Sequence, residues 1–378
     1  MNIFIFIIIL LVLVLVHEFG HFFTAKSFGI RVDEFGFGFP PKLFSFKKGE
    51  TEYSINALPF GGFVKIFGEN VDDADLAEVN ALDKKDTLEK KEISRSLISK
   101  PRYQQALVMF AGIFANFVLA WILFSFGFIT GLPTSVSSES KGYALEDINL
   151  VVVSVQEGSP AEISGLISGD KIISVNSGED VLSDINTESF KSFILNHPNQ
   201  EIDIGYLRGK DKNINTTSVI PKTENAGEKP MIGISMDQIG KAKLPFLKAF
   251  GEGLRLDWTV TKGTVVGLYT LIADGVRGKG DMSSVSGPVG MVGIVGDAYK
   301  FGFAYLLSFA ALISVNLAVV NFIPFPALDG GRLLFLLIEK IKGSPMNPKI
   351  ANTMNAIGFA ILIILMLLVT FSDITKLF

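Results

Sequence analysis

The sequence predicts a polytopic α-helical membrane protein of about four transmembrane helices with an inserted soluble α+β unit. Two observations carry that prediction. Four apolar segments approach the roughly 20 residues that a ~30 Å hydrocarbon core requires, in a chain of 378 residues that is 48% hydrophobic. Between the second and third of them, residues about 143–236 alternate strand-like runs with turn-forming residues.

The first segment covers about residues 2–24 and ends in "HEFGHFF". Its start lacks Lys or Arg and no small-residue cleavage site follows Val16, which disfavours a signal peptide. The second covers about 106–132, the third about 303–327 and the fourth about 356–371. The loop after the first segment is rich in Phe, Gly and Pro, with strand-like runs at "TEYSINAL" and "GGFVKIF". Its second part, from Asn70 to about Arg102, is charged and carries Lys84, Lys85, Lys90, Lys91, Arg95, Lys100 and Arg102. By the positive-inside rule this loop lies in the cytoplasm and the N-terminus outside.

Pro133 through Gly142 reads as a linker to the soluble unit. That unit opens with a β-branched run, then "GSPA" and "SGDKIISVN". "TESFKSFILNH" follows as a short helix capped by Asn186 or Thr187, and "EIDIGYL" and "INTTSVI" as strands. Residues about 241–300 are Gly-rich and amphipathic, read as helices along the membrane surface. The resulting division is 1–132, 143–236, 241–300 and 301–378. A net charge of -4 gives no nucleic-acid signature, and zero Cys excludes disulfides, thiolate metal sites and Cys nucleophiles.

The chemistry concentrates at the end of the first segment. Two of the three His in the chain, His17 and His21, stand four apart, so a helix projects both from one face. Two neutral imidazoles at that spacing reach one Zn²⁺ ion, and Glu18 beside them suits the base that deprotonates a metal-bound water. Ionisable residues inside a membrane segment are costly and usually functional, so a chance occurrence of the pattern is disfavoured. A catalytic zinc takes three protein ligands. Asp329, in "NFIPFPALDGGR", follows a span that runs in the same direction as the first, so both ends share a face. Asp-Gly is also an ordinary turn pair. Asp373 emerges on the opposite side, and Glu339 reads as a helix-surface charge.

Asn316 and Asn321 in the third segment offer hydrogen bonds to an extended substrate or an oxyanion, or between helices. Gly61 and Gly62, beside short strands, suit a re-entrant hairpin that pairs with an extended substrate, or a plain surface turn.

Together these residues resemble the site-2 protease family of intramembrane zinc metalloproteases, in its bacterial regulator-of-sigma-E branch. The resemblance runs through "HEFGH", "GFGFPPKLF", "LPFGGFVKIFGE", "AGIFANFVLA", "SGPVG" and "NFIPFPALDGGR". It implies that His17, His21 and Asp329 bind one zinc ion, that Glu18 is the general base, and that Asn316 and Asn321 handle substrate. Ile113 stands where the family pattern usually has Pro. The soluble insert resembles one PDZ domain of the circularly permuted bacterial type. Its last strand, "MIGISM", then places Ile232, Gly233 and Ile234 to receive a peptide C-terminus, or the domain acts only as a size filter.

The resemblance implies an endopeptidase of a bacterial cytoplasmic membrane, with the zinc site near the cytoplasmic side and the PDZ domain outside. Its substrates would be single-span type II membrane proteins already trimmed on the outer side, such as anti-sigma-factor-like regulators or remnant signal peptides. A rival of another class is a membrane-anchored PDZ scaffold or chaperone with a structural zinc. Glu18 discriminates between them, since a structural site needs no adjacent base.

Overall fold

A computed structural model describes residues 2–69, 93–136, 143–209, 213–223, 229–278 and 287–375. Lys84, Lys85, Lys90 and Lys91 of the basic loop lie outside the described residues. Two compact units account for the chain, one from residues 1–123, 254–293 and 310–378, the other from 124–253 and 294–309.

Among the described residues, four helices are long and apolar enough to cross a membrane. They are α1 (Asn2–Ser27), α2 (Arg102–Thr130), α7 (Phe303–Phe322) and α9 (Pro348–Thr375). The shortest, α7, has 20 residues and so spans about 30 Å at 1.5 Å per residue. α1 and α9 contain their corresponding apolar segments, α2 stops at Thr130 rather than about residue 132, and α7 stops at Phe322 rather than about residue 327. Pro324 and Pro326 explain the stop of α7, because neither can donate a helical hydrogen bond and each disfavours helix in the residue before it.

In the first unit α1 is followed by β1 (Val32–Lys48) and β2 (Thr51–Ile66). These two strands are each used twice. Phe35 lies opposite Val64 on one side and Tyr53 on the other, while Phe46 also faces Tyr53. The two runs expected in this loop are therefore halves of one bent strand, β2. Helix α8 (Asp329–Lys342) separates α7 from α9.

The same unit has a second tie at the far end of α9. Asp373, 4% exposed, accepts hydrogen bonds from the Gly287 N–H at 3.0 Å and the Gly290 N–H at 2.8 Å. Those groups open helix α6 (Pro288–Phe301), where N–H groups lack helical partners and a carboxylate is favoured. A Cβ at Gly287 would stand 2.7 Å from Asp373 Oδ2, so "SGPVG" keeps a glycine where the carboxylate arrives. Helix α5 (Phe246–Val276) occupies much of the 241–300 segment.

The second unit is built on a seven-stranded sheet of order β3-β9-β4-β5-β7-β8, with β6 paired to β5. Its strands are β3 (Leu132–Ser135), β4 (Glu146–Val155), β5 (Lys171–Ser177), β6 (Asp180–Val181), β7 (Ile202–Leu207), β8 (Asn215–Val219) and β9 (Ile234–Ala242). Between its strands lie the single turn α3 (Pro160–Ile163) and α4 (Thr187–Asn196). Asn186 caps α4, accepting from the Ser189 N–H at 2.8 Å. Leu150, Val152, Phe190, Ile194, Ile202 and Ile204 form its core.

Strand β3 corrects the linker reading at Pro133. Leu132 through Ser135 pair with Ala242 through Ile239, and Pro133 is tolerated because β3 is an edge strand. The rest of that stretch, 137–142, lies outside the described residues.

Candidate metal centre

Helix α1 buries Leu13, His17, His21 and Ala25. These are every fourth residue, a single stripe of the helix. Two of the four buried positions are imidazoles. Gly20 lies between them in the chain, and a Cβ there would overlap the Ala111 carbonyl of α2. Small residues thus let α1 and α2 approach closely. At Gly112 a Cβ would overlap the His21 ring itself.

Asp329 arrives from the other end of the chain as the first residue of α8. The segment that delivers it is tightly turned. Ala327 takes a left-handed φ of 76°, a conformation uncommon outside glycine, and its N–H donates to Asn355 Oδ1 at 3.2 Å. Cβ atoms at Gly330 and Gly331 would overlap the carbonyls of Ile323 and Phe325. The "LDGG" motif therefore combines a ligand with two positions where the preceding loop folds back onto the helix.

The three side chains converge. His17 Nε2 stands 3.1 Å and His21 Nε2 3.2 Å from Asp329 Oδ2, and the two imidazole nitrogens are 3.2 Å apart. A tetrahedral ion with ligand bonds of ~2.0–2.1 Å sets its ligands about 3.3 Å apart, close to the observed triangle.

Hydrogen bonding gives an independent test of fit. His21 Nδ1 lies 2.8 Å from the Val108 carbonyl oxygen, so Nδ1 carries the proton and Nε2 a lone pair. That lone pair faces Asp329 Oδ2, which is buried and, among the described residues, receives no hydrogen bond. Two buried acceptors face each other, and a cation between them satisfies both. Among the described residues this is the group of His, Asp and Glu side chains arranged to hold an ion.

Glu18 sits on the adjacent face of α1, within electrostatic range of His21, His17 and Asp329. A Cβ at Gly62 of β2 would stand 2.9 Å from Val14 Cγ1 and 3.2 Å from Glu18 Cγ, so the strand passes directly beside this carboxylate. Gly61 has a φ of 91°. Both glycines lie inside the long strand β2, not at a turn beside short strands. Arg332, one turn beyond Asp329, forms an ion pair with Glu69 just past β2.

The other expected site residues are dispersed. Asn316 Oδ1 accepts from Thr264 Oγ1 of α5 at 3.0 Å, a bond between helices. Asn321 is partly buried in the last turn of α7. In the second unit, Ile232, Gly233 and Ile234 line a cleft of about 660 Å³ together with Phe190 and Ile194 of α4. Strand β3 pairs with β9 at Ile239–Ala242, and among the described residues no strand pairs with Ile234 through Gln238 on that edge.

Sequence reasoning missed Asn116. It is fully buried, with Nδ2 3.3 Å from His17 Nδ1. The signal was present as a polar residue inside an apolar segment, within the "AGIFANFVLA" motif.

The Peptidase family M50 model matches residues 5–365 of the chain. A protein of Clostridium perfringens is 36% identical over 360 residues, covering 95% of this chain and 94% of the relative. The regulator of sigma-W protease RasP of Bacillus subtilis is 34% identical over 427 aligned positions, covering 96% and 95%. The zinc metalloprotease RasP of Oceanobacillus iheyensis is 30% identical, covering 96% of each chain.

Proposed function

The chain belongs to peptidase family M50 and is a zinc metalloprotease with membrane-spanning helices, and from that premise we propose that it is an intramembrane endopeptidase. Its substrates are single-span membrane proteins cut within or near the transmembrane segment. The observation that carries this reading is the convergence of His17, His21 and Asp329 on one point, with two of the three on a helix apolar enough to lie in a bilayer.

His17 Nε2, His21 Nε2 and Asp329 Oδ2 would hold the ion, which when bound would supply Lewis-acid polarisation and an acidified water. Glu18 takes a proton from the attacking water on its carboxylate and returns it to the leaving amide nitrogen. A peptide bond in a helix is shielded, so the substrate must be held extended. The passage of β2 beside Glu18 at Gly62 supports Gly61 and Gly62 as the place where an extended segment lies against main chain. Asn321, at the end of α7 before the loop to Asp329, suits a contact to the substrate backbone. Asn316 would join it only on release from Thr264.

The name of the Bacillus subtilis relative, a regulator of sigma-W protease, supports anti-sigma-factor-like regulators as one substrate class. Remnant signal peptides are a second, by the same need for a short single span of type II orientation already trimmed outside. The membrane is the bacterial cytoplasmic one, with the metal centre toward the cytoplasm and the sheet unit outside. That unit is a PDZ-like domain of permuted order, inserted between α2 and α7. The open edge of β9 beside α4 supports a groove for peptide C-termini at Ile232, Gly233 and Ile234, in addition to exclusion by size.

The test compares wild type with Glu18→Gln in cells that make a short-ectodomain type II reporter, scored for cleavage on a gel. Cleavage by wild type alone, with zinc retained in the variant, is expected. Cleavage by both would remove Glu18 from the chemistry. Equal biological activity of the variant without any cleavage would point to a scaffold.

A further inference from the structure

A metal-ligating imidazole is usually oriented through its second nitrogen, which donates to a carbonyl, carboxylate or water. For His21 that partner is the Val108 carbonyl, 2.8 Å from Nδ1. Among the described residues no backbone oxygen takes that role for His17. The group at its Nδ1 is the side chain of Asn116, with Nδ2 at 3.3 Å.

Asn116 is fully buried, and among the described residues its Oδ1 has no hydrogen-bond partner. An amide is nearly symmetric in shape, so a half-turn about its last torsion exchanges Oδ1 and Nδ2 without moving its neighbours. After that exchange Oδ1 faces Nδ1–H of His17, and the orphaned oxygen has gained a donor. The same exchange leaves the His17 Nε2 lone pair toward Asp329 and His21, as coordination demands. The rest of the residue is held in place, since buried Ser314 of α7 donates its Oγ–H to the Asn116 carbonyl at 2.8 Å. One helix, α2, thus carries the orienting oxygen for both histidines. Gly112 between them admits the His21 ring.

We propose that Asn116 is a positioning residue of the metal centre, its side-chain oxygen accepting the Nδ1–H of His17 and so holding that ring in its metal-binding tautomer and orientation. The inference rests on the zinc reading above. It goes beyond it by assigning a function to the polar residue of the "AGIFANF" motif.

The test uses the purified full chain in detergent. Zinc affinity is measured by chelator competition, and the Co²⁺-substituted protein by its visible absorption. Loss of an outer partner of this kind weakens metal binding by about 10–100-fold. Asn116→Leu is expected to show that loss with an altered Co²⁺ spectrum. Asn116→Ala, which cannot overpack, is expected to do the same. Asn116→Asp, which keeps an acceptor of the same shape, is expected to retain wild-type affinity and spectrum. Wild-type affinity with an unchanged spectrum in both Leu and Ala variants would overturn the proposal. So would equal loss in the Asp, Ala and Leu variants, which marks a packing role. A wild-type chain that takes up no zinc would overturn the metal reading itself along with it.

Discussion

His21 and Val108 stand 87 residues apart, yet the His21 Nδ1 lies 2.8 Å from the Val108 carbonyl oxygen. That contact exists because Gly112, one turn further along α2, leaves room for the imidazole. Gly112→Ala is expected to displace the ring or part the two helices. Overpacking of this kind costs about 1–3 kcal/mol, and a displaced ligand weakens zinc binding tenfold or more. Metal analysis and thermal unfolding together check it. Wild-type zinc content and Tm in the variant would contradict the packing described.

Gly62 separates effects on chemistry from effects on the metal. A valine there would press on Val14 and Glu18, neither of them a proposed zinc ligand. Gly62→Val is expected to lower reporter cleavage at least tenfold while zinc content stays at one ion per chain. If zinc is lost in parallel, β2 supports the metal centre and not the approach of substrate.

Asp373 holds the first turn of α6 through two main-chain N–H groups. Asp373→Ala leaves both without their acceptor, at about 1–3 kcal/mol for each that stays buried. A Tm lower by several degrees is expected, with zinc affinity unchanged. An unaltered Tm would show that water replaces the carboxylate.

Asp170 makes the corresponding prediction for the second unit. It is fully buried and accepts from Arg208 Nε at 2.8 Å, Arg208 Nη2 at 2.7 Å and the Ile167 N–H at 2.9 Å. Because the Arg208 side chain is 38% exposed, Asp170→Ala should cost roughly 1–3 kcal/mol, less than breaking a fully buried pair. Limited proteolysis of the full chain is expected to cut faster within residues 143–242. Resistance equal to wild type would contradict the estimate.

The histidine pair and Glu18 were legible in the sequence because the signal is local. Four residues are one helical turn, and an apolar segment makes any polar interruption conspicuous. Asp329 was legible for a weaker reason, the parity of spans between it and His17. Asn116 and Gly112 were not, although both lie in a recognised motif. Their partners, His17 and His21, are 99 and 91 positions away, and no periodicity within α2 reports an imidazole on a neighbouring helix. Asp373 was set aside for the side on which it emerges, and its partners, two glycine N–H groups, carry no side-chain signature. The double use of β1 and β2 escaped for a related reason. Alternation identifies a strand, and it says nothing of how many neighbours each stretch of that strand has.

The order of the ligands along the chain bears on biogenesis. His17 and His21 are made almost at once, and Asp329 some 308 positions after His21. At about 5–20 residues per second, the ribosome takes roughly 15–60 s to close that interval. A nascent chain therefore carries two imidazoles and the Glu18 carboxylate through most of its synthesis without the Asp329 carboxylate that completes the metal centre. The three-residue metal centre can close only once the helix that bears Asp329 has emerged.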